Sequence, residues 1–124
     1  MRYLLDTHIY LWWLANDKKL SESTKKAITD SNNTVCVSLV SFWEISIKVR
    51  TKKLQLKTSF SSLYENLQFV LLNITIEDVF KLHELPLHHK DPFDRILIAQ
   101  AMAEKCTLIT NDKKIKTYKI PTLG

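Results

Sequence analysis

The 124-residue chain carries 18 Lys and Arg against 13 Asp and Glu, a formal net charge of +5, and is 45% hydrophobic. That composition supplies one globular core and excludes a disordered or low-complexity chain, while a single Gly and three Pro leave no linker at which to divide it. No apolar run approaches the ~20 residues that cross a bilayer. The opening MRYLLDTH lacks the apolar stretch of a signal peptide, and Cys36 and Cys106 show no CxxC spacing. The expectation is one domain over residues 1–124 in a cytoplasmic protein, with both thiols buried and reduced.

In chain order, Arg2 to Leu5 reads as a short buried strand, and Thr7 to Ala15, with Ile9, Trp12 and Trp13 three to four apart, as a helix packed on it. Ser21 is the N-cap of a second helix running to about Asp30, and the β-branched stretch Thr34 to Ser38 predicts a strand. Val40 to Arg50 is ambiguous. Ile45, Ile47 and Val49 alternate as in a strand, whereas Val40, Trp43, Glu44 and Ile47 share a helical face; we read helix, with Ser41 near its start. Residues 59–68 predict a helix, Phe69 to Ile74 a strand, and Thr75 to Leu82 a helix with Glu77 and Asp78 in its first turn. Asp91 at the N-cap and Pro92 at the first helical position open the clearest helix, which runs to Ala103. Thr107 to Thr110 is then a strand, followed by a basic helical turn and a short edge strand over Lys119 to Leu123. Repeated strand–helix units predict an α/β fold of three layers around a central, mainly parallel sheet, with function at the carboxyl ends of its strands.

Four acids fall where such a sheet would gather them: Asp6 after the first strand, Glu44 in SFWEISIK, Asp94 in DPFDR and Asp112 after TLIT. Two carboxylates about 4 Å apart repel by roughly 4 kcal/mol at an effective dielectric of 20, so four of them call for a divalent cation. Hard oxygen donors suit Mg²⁺ or Mn²⁺, ions that polarise phosphates and activate water. Each acid also has a plainer role. Asp6 fits a helix N-cap, Asp112 an Asx turn, and Glu44 an ion pair with Lys48 one turn on. Asp91 at the cap turns to its own helix's N–H groups, which leaves Asp94 in the first turn free to point across the sheet, with Ile98 and Ala101 below it on the same face.

Two basic stretches, one holding Lys48, Arg50, Lys52, Lys53 and Lys57 and the other Lys113, Lys114, Lys116 and Lys119, favour a phosphate-bearing partner, with Lys48, Arg50 and Lys52 as candidate RNA contacts. Trp12, Trp13 and Trp43 invite base stacking, but their spacing among Ile and Leu favours core packing for most of them.

Together LLDTH, the WE pair, DPFDRILIAQA and TLITND resemble the PIN-domain ribonucleases, in particular VapC-like toxins of type II toxin–antitoxin systems, and the resemblance covers nearly the whole chain. It implies that Asp6, Glu44, Asp94 and Asp112 are both metal ligands and catalytic residues, holding one or two Mg²⁺ or Mn²⁺ ions. It also implies Thr110 as a hydroxyl beside them, a single-stranded or looped RNA substrate, a homodimer or toxin–antitoxin hetero-oligomer, and an antitoxin whose C-terminal segment fills the active groove. His8 stands where many relatives have Asn, without disturbing the acid set. His88 and His89 stand where they could approach a substrate phosphate but are expected as solvated loop residues and not as metal ligands, and Arg95 is expected to pair with Asp91 or another acid in preference to the scissile phosphate. Hydrolysis in this reading leaves 5′-phosphate and 3′-hydroxyl ends. The alternatives are a noncatalytic RNA-binding or interaction module of the same fold, and a Mg²⁺-dependent phosphatase or phosphotransferase. Against the latter, Asp6-Thr7-His8 lacks the second acid of a DxDxT motif.

Overall fold

Strict alternation of side chains in short apolar strands dictates the architecture. The structure, a computed structural model describing residues 1–124, contains β1 (Arg2–Leu5), α1 (Thr7–Ala15), α2 (Glu22–Thr29), β2 (Thr34–Ser38), α3 (Leu39–Arg50), α4 (Phe60–Glu65), β3 (Val70–Leu72), α5 (Ile76–Glu84), α6 (Pro92–Ala103), β4 (Thr107–Ile109) and β5 (Thr122–Leu123), with a 3-10 turn at Ile115–Thr117. The five strands form one sheet in the order β3-β2-β1-β4-β5, and every pairing is parallel. In β1, β2 and β4, Leu4, Cys36 and Leu108 point to one face while Leu5, Val37 and Ile109 point to the other. A parallel sheet apolar on both faces must be covered on both. The first face packs Leu97, Ile98 and Ala101 of α6 with Leu85, and the second packs Ile9 and Tyr10 of α1 with Phe42 and Ile45 of α3. The result is the expected three-layer fold, and both cysteines lie buried and unpaired within it.

Local chemistry sets the helix starts. Asp6, Ser21, Ser38, Ser59, Thr75 and Asp91 each accept a hydrogen bond from a backbone N–H in the first turn of the helix that follows. Such caps are typically worth about 1 kcal/mol each. Thr75 and Asp78 form a reciprocal capping box.

Several boundaries differ from those read in the sequence. The third helix begins at Leu39 because Ser38, not Ser41, provides the cap; Ser41 lies one turn inside and its hydroxyl bonds that of Thr7 at 2.9 Å. Expected strands over Phe69–Ile74 and Lys119–Leu123 shrink to Val70–Leu72 and Thr122–Leu123, because only those residues find a partner strand. No helix is long and apolar enough to cross a membrane.

Candidate active site

The four acids meet at the carboxyl ends of β1 and β4, each held there by a distinct local device. Asp6 is 3% exposed. One of its oxygens accepts the N–H of Ile9 at 2.8 Å and the other accepts the hydroxyl of Thr110, so the capping role and the site role fall on different oxygens. Thr110, the residue after β4, also accepts the N–H of Asp112 at 3.1 Å, so one hydroxyl joins the ends of two adjacent strands. Asp112 makes the expected turn, its Oδ1 accepting the N–H groups of Lys114 at 2.7 Å and Ile115 at 3.3 Å, while Oδ2 faces the site.

On the other side, Asp91 caps α6 by accepting the N–H groups of Phe93 at 2.8 Å and Asp94 at 3.1 Å. Asp94 is thereby freed to turn inward, as the sequence predicted. Glu44 projects from α3, 3% exposed, with Oε2 3.0 Å from Lys48 Nζ and Oε1 buried without any partner. The ion pair foreseen as the plain alternative is therefore present, yet it satisfies only half of the carboxylate. A buried carboxylate oxygen left unpaired costs on the order of 1–3 kcal/mol, and a cation at the site would remove that cost.

His89 departs from the solvated loop residue expected of it. Only 9% exposed, it lies with Nε2 3.0 Å from Asp94 Oδ2 and 3.2 Å from Asp112 Oδ2. Its Nδ1 accepts the N–H of Asp91 at 3.1 Å, which assigns the ring proton to Nε2. His89 therefore donates to two carboxylates that would otherwise repel. Ligand atoms of His89, Asp94 and Asp112 all lie within 4.8 Å of one another. A metal-ligating histidine normally donates its second ring N–H to an acceptor, whereas the second nitrogen here faces a donor, so the geometry makes His89 a hydrogen-bond donor to the two carboxylates.

Electrostatics confirms that the acids share one neighbourhood. Asp94 is pushed up to about 7 by burial first and then by Asp91, with His89 opposing and Glu44 and Asp6 adding to the rise. Burial likewise raises Asp6, against the hydrogen bonds from Thr110 and Ile9 and with a further push from Asp112. Asp112 is partly buried, which pushes it up, but the hydrogen bonds from His89, Lys114 and Ile115 prevail and hold it below its ordinary value. Four carboxylates with hard oxygen donors, one of them orphaned, fit a divalent ion.

Two other expectations need correction. Arg95 pairs with no acid. Its guanidinium donates to the carbonyls of Pro86 at 2.9 Å and of Leu82, Leu85 and His89 at 3.4 Å, and to the Tyr118 hydroxyl at 3.2 Å, because the end of α5 and the loop before α6 turn those carbonyls toward it. Tyr118 in turn accepts the backbone N–H of His89 at 2.9 Å, so Arg95 and Tyr118 fix the loop that carries His89. Trp43 is not core: it is 58% exposed, while Trp12 and Trp13 are half-buried. Of the candidate RNA contacts, Lys48 is tied to Glu44, whereas Arg50 and Lys52 are exposed.

A second concave region, of about 880 Å³, opens between α1, α2, α4 and the segment 53–58. Leu11, Trp13, Leu56 and Phe69 line it, Lys25, Lys53 and Lys57 rim it, and no Asp or Glu contributes to it. Lys48 belongs to this groove as well as to the Glu44 pair, so the groove runs up to the acidic site.

The family model described as PIN domain matches residues 3–121. The chain is 25% identical over 121 residues to Ribonuclease VapC22 of Mycobacterium tuberculosis, covering 95% of this chain and 92% of that protein. Among solved structures, it is similar to VapBC2 from Rickettsia felis bound to a DNA fragment from their promoter, with a TM-score of 0.76, 20% identity, and coverage of 99% of this chain and 98% of that one. It is also similar to DNA-bound VapBC from Salmonella typhimurium, with a TM-score of 0.74, 12% identity, and coverage of 99% and 97%. A match over nearly all of its length places this chain in the PIN-domain family.

Proposed function

We propose that the protein is a metal-dependent endoribonuclease, the toxin of a type II toxin–antitoxin pair, with Asp6, Glu44, Asp94 and Asp112 as its metal ligands. The observation that carries the reading is the buried, unpartnered oxygen of Glu44 beside three further carboxylates, a cluster with a deficit of positive charge. Likeness to a protein named a ribonuclease supports the substrate class. Bound Mg²⁺ or Mn²⁺, as one or two ions held by these four acids, would supply charge stabilisation at the phosphate and make a bound water more acidic than bulk water.

The chain's own groups supply the positioning. Thr110 Oγ1 and the Ile9 N–H hold Asp6 in one orientation, leaving its carboxylate no freedom to rotate away. His89 Nε2–H keeps Asp94 and Asp112 converged, and Arg95 keeps His89 in place through the loop carbonyls. Burial and the neighbouring acids raise Asp94 to about 7 in the metal-free chain, and its carboxylate form is the one able to bind a cation. Exposed Arg50 and Lys52 provide attraction for the RNA backbone.

The lysine-rimmed, acid-free groove supports a protein partner that offers an acidic amphipathic helix, and the antitoxin is the partner this reading assigns to it. Its continuity with Lys48 and Glu44 lets such a partner control access to the site. The experiment is direct: purified protein incubated with single-stranded RNA in Mg²⁺ or Mn²⁺ should yield internal cuts with 5′-phosphate ends, abolished by EDTA and by Asp6→Asn. Cleavage that persists in EDTA, or equal cleavage by the Asp6→Asn protein, overturns the assignment.

A further inference from the structure

One aromatic pair stands at the lip of the acidic site, one ring resting on the core and the other outside it. Trp43 and Phe93 pack edge to face, ring centroids 5.2 Å apart and planes at 82°. Each directly precedes a site carboxylate on its own helix, Trp43 before Glu44 and Phe93 before Asp94. Phe93, half-buried in the first turn of α6, is packed against the core beneath it, so it acts as a fixed wall, while Trp43 presents over half its surface to solvent. Edge-to-face contacts of this kind contribute about 0.5–1.5 kcal/mol, enough to favour one indole orientation.

We propose that the Trp43–Phe93 pair is the platform on which an unpaired nucleobase of the substrate stacks, beside the phosphate presented to the acids. The proposal rests on the ribonuclease reading. What selects a nucleobase as occupant is the rest of the α3 face. Arg50 lies seven residues beyond Trp43, hence on the same side of the helix and about 10 Å along it. It is exposed and makes no salt bridge. An aromatic surface followed by a free guanidinium on one stripe is the combination that single-stranded nucleic acid requires, a π-face for the base and a cation for the backbone. A paired base keeps both faces stacked in its helix and cannot use the platform, so the pair selects loops and single strands. Leu39 and Ile47, exposed on either side of Trp43, extend the apolar floor.

The test uses a short fluorescein-labelled unstructured RNA, the full-length protein carrying Asp6→Asn to prevent cutting, and Mg²⁺ throughout. Adding Trp43→Ala should weaken binding about tenfold, or 1.4 kcal/mol, and Trp43→Phe should lie within about threefold of the parent. Affinity for a perfect duplex of the same sequence should be unchanged by either substitution. Equal binding of the single strand by the parent and Trp43→Ala overturns the platform and leaves the nuclease reading standing. Absence of RNA binding by the parent overturns both. If sedimentation shows that Trp43→Ala and Trp43→Phe both lower the protein's assembled mass, with RNA affinity unaltered, a second copy of the chain covers the patch and the platform is rejected.

Discussion

The acidic site and the apolar groove of this molecule are built from opposite chemistries. At the strand ends, carboxylates converge until one oxygen has no partner and Asp94 holds its proton to about 7. In the groove between α1, α2 and α4, apolar side chains are rimmed by lysines with no acid among them. A net charge of +5 therefore says little about either surface, since the chain gathers negative charge at the strand ends and positive charge around the apolar groove. Lys48, shared by both regions, is where the two demands touch.

That contrast can be broken at several points. The largest effect is expected from Asp94→Asn. It should lower RNA cleavage by about a thousandfold, several kcal/mol at 1.36 per tenfold, yet raise the melting temperature of the metal-free protein at pH 8 by relieving carboxylate repulsion. A variant that loses activity because it unfolds would contradict the electrostatic account. Next, His89→Ala should weaken Mn²⁺ binding in calorimetry by about 10–100-fold, the usual range for groups that orient metal ligands, with the circular dichroism spectrum retained. Unchanged affinity would show that Asp94 and Asp112 need no donor to hold them together.

On the groove side, Leu14→Glu places a charge at an exposed lining position. Capture of an acidic partner helix should weaken by at least about tenfold, read by isothermal titration, while cleavage of naked RNA stays unaltered. Loss of both together would mean the regions are not separable.

The smallest effect is a pH dependence. Asp94 is raised in the folded chain, which therefore binds more protons than the unfolded chain between the ordinary carboxylate range and about 7. Stability of the metal-free protein consequently falls as pH rises through that window. Scanning calorimetry should show a lower melting temperature at pH 8 than at pH 6 in EDTA, and saturating Mg²⁺ should remove the difference.

The four acids were legible in the sequence because each stands at a boundary that local rules mark: Asp6 and Asp112 after apolar strands, Asp94 three residues past a cap, Glu44 on an otherwise apolar helical face. His89 was not, for its burial is made by Tyr118, a residue 29 positions on, and by a loop whose carbonyls Arg95 gathers. Arg95 misleads for the same reason, since the direction in which a loop turns its carbonyls leaves no trace in a sequence. Trp43 shares a helical face with Val40 and Glu44 in the sequence yet stands exposed, because spacing alone fixes such a face only to within about one position, and here α3 turns Val40, Glu44 and Ile45 inward. Periodicity gives the stripe, and tertiary packing decides its roll.

The hydrogen bond between Thr110 and Asp6 spans 104 positions of chain, and β1 lies between β2 and β4 in the sheet. An emerging polypeptide that has exposed only its first half can pair β1 with β2 but has no β4, so the pocket remains open on one side and Asp6 lacks its anchor. Non-local strand pairing of this kind comes late in folding. The acidic pocket is thus the last part of the domain to be completed, assembled only once nearly the whole chain is free to fold.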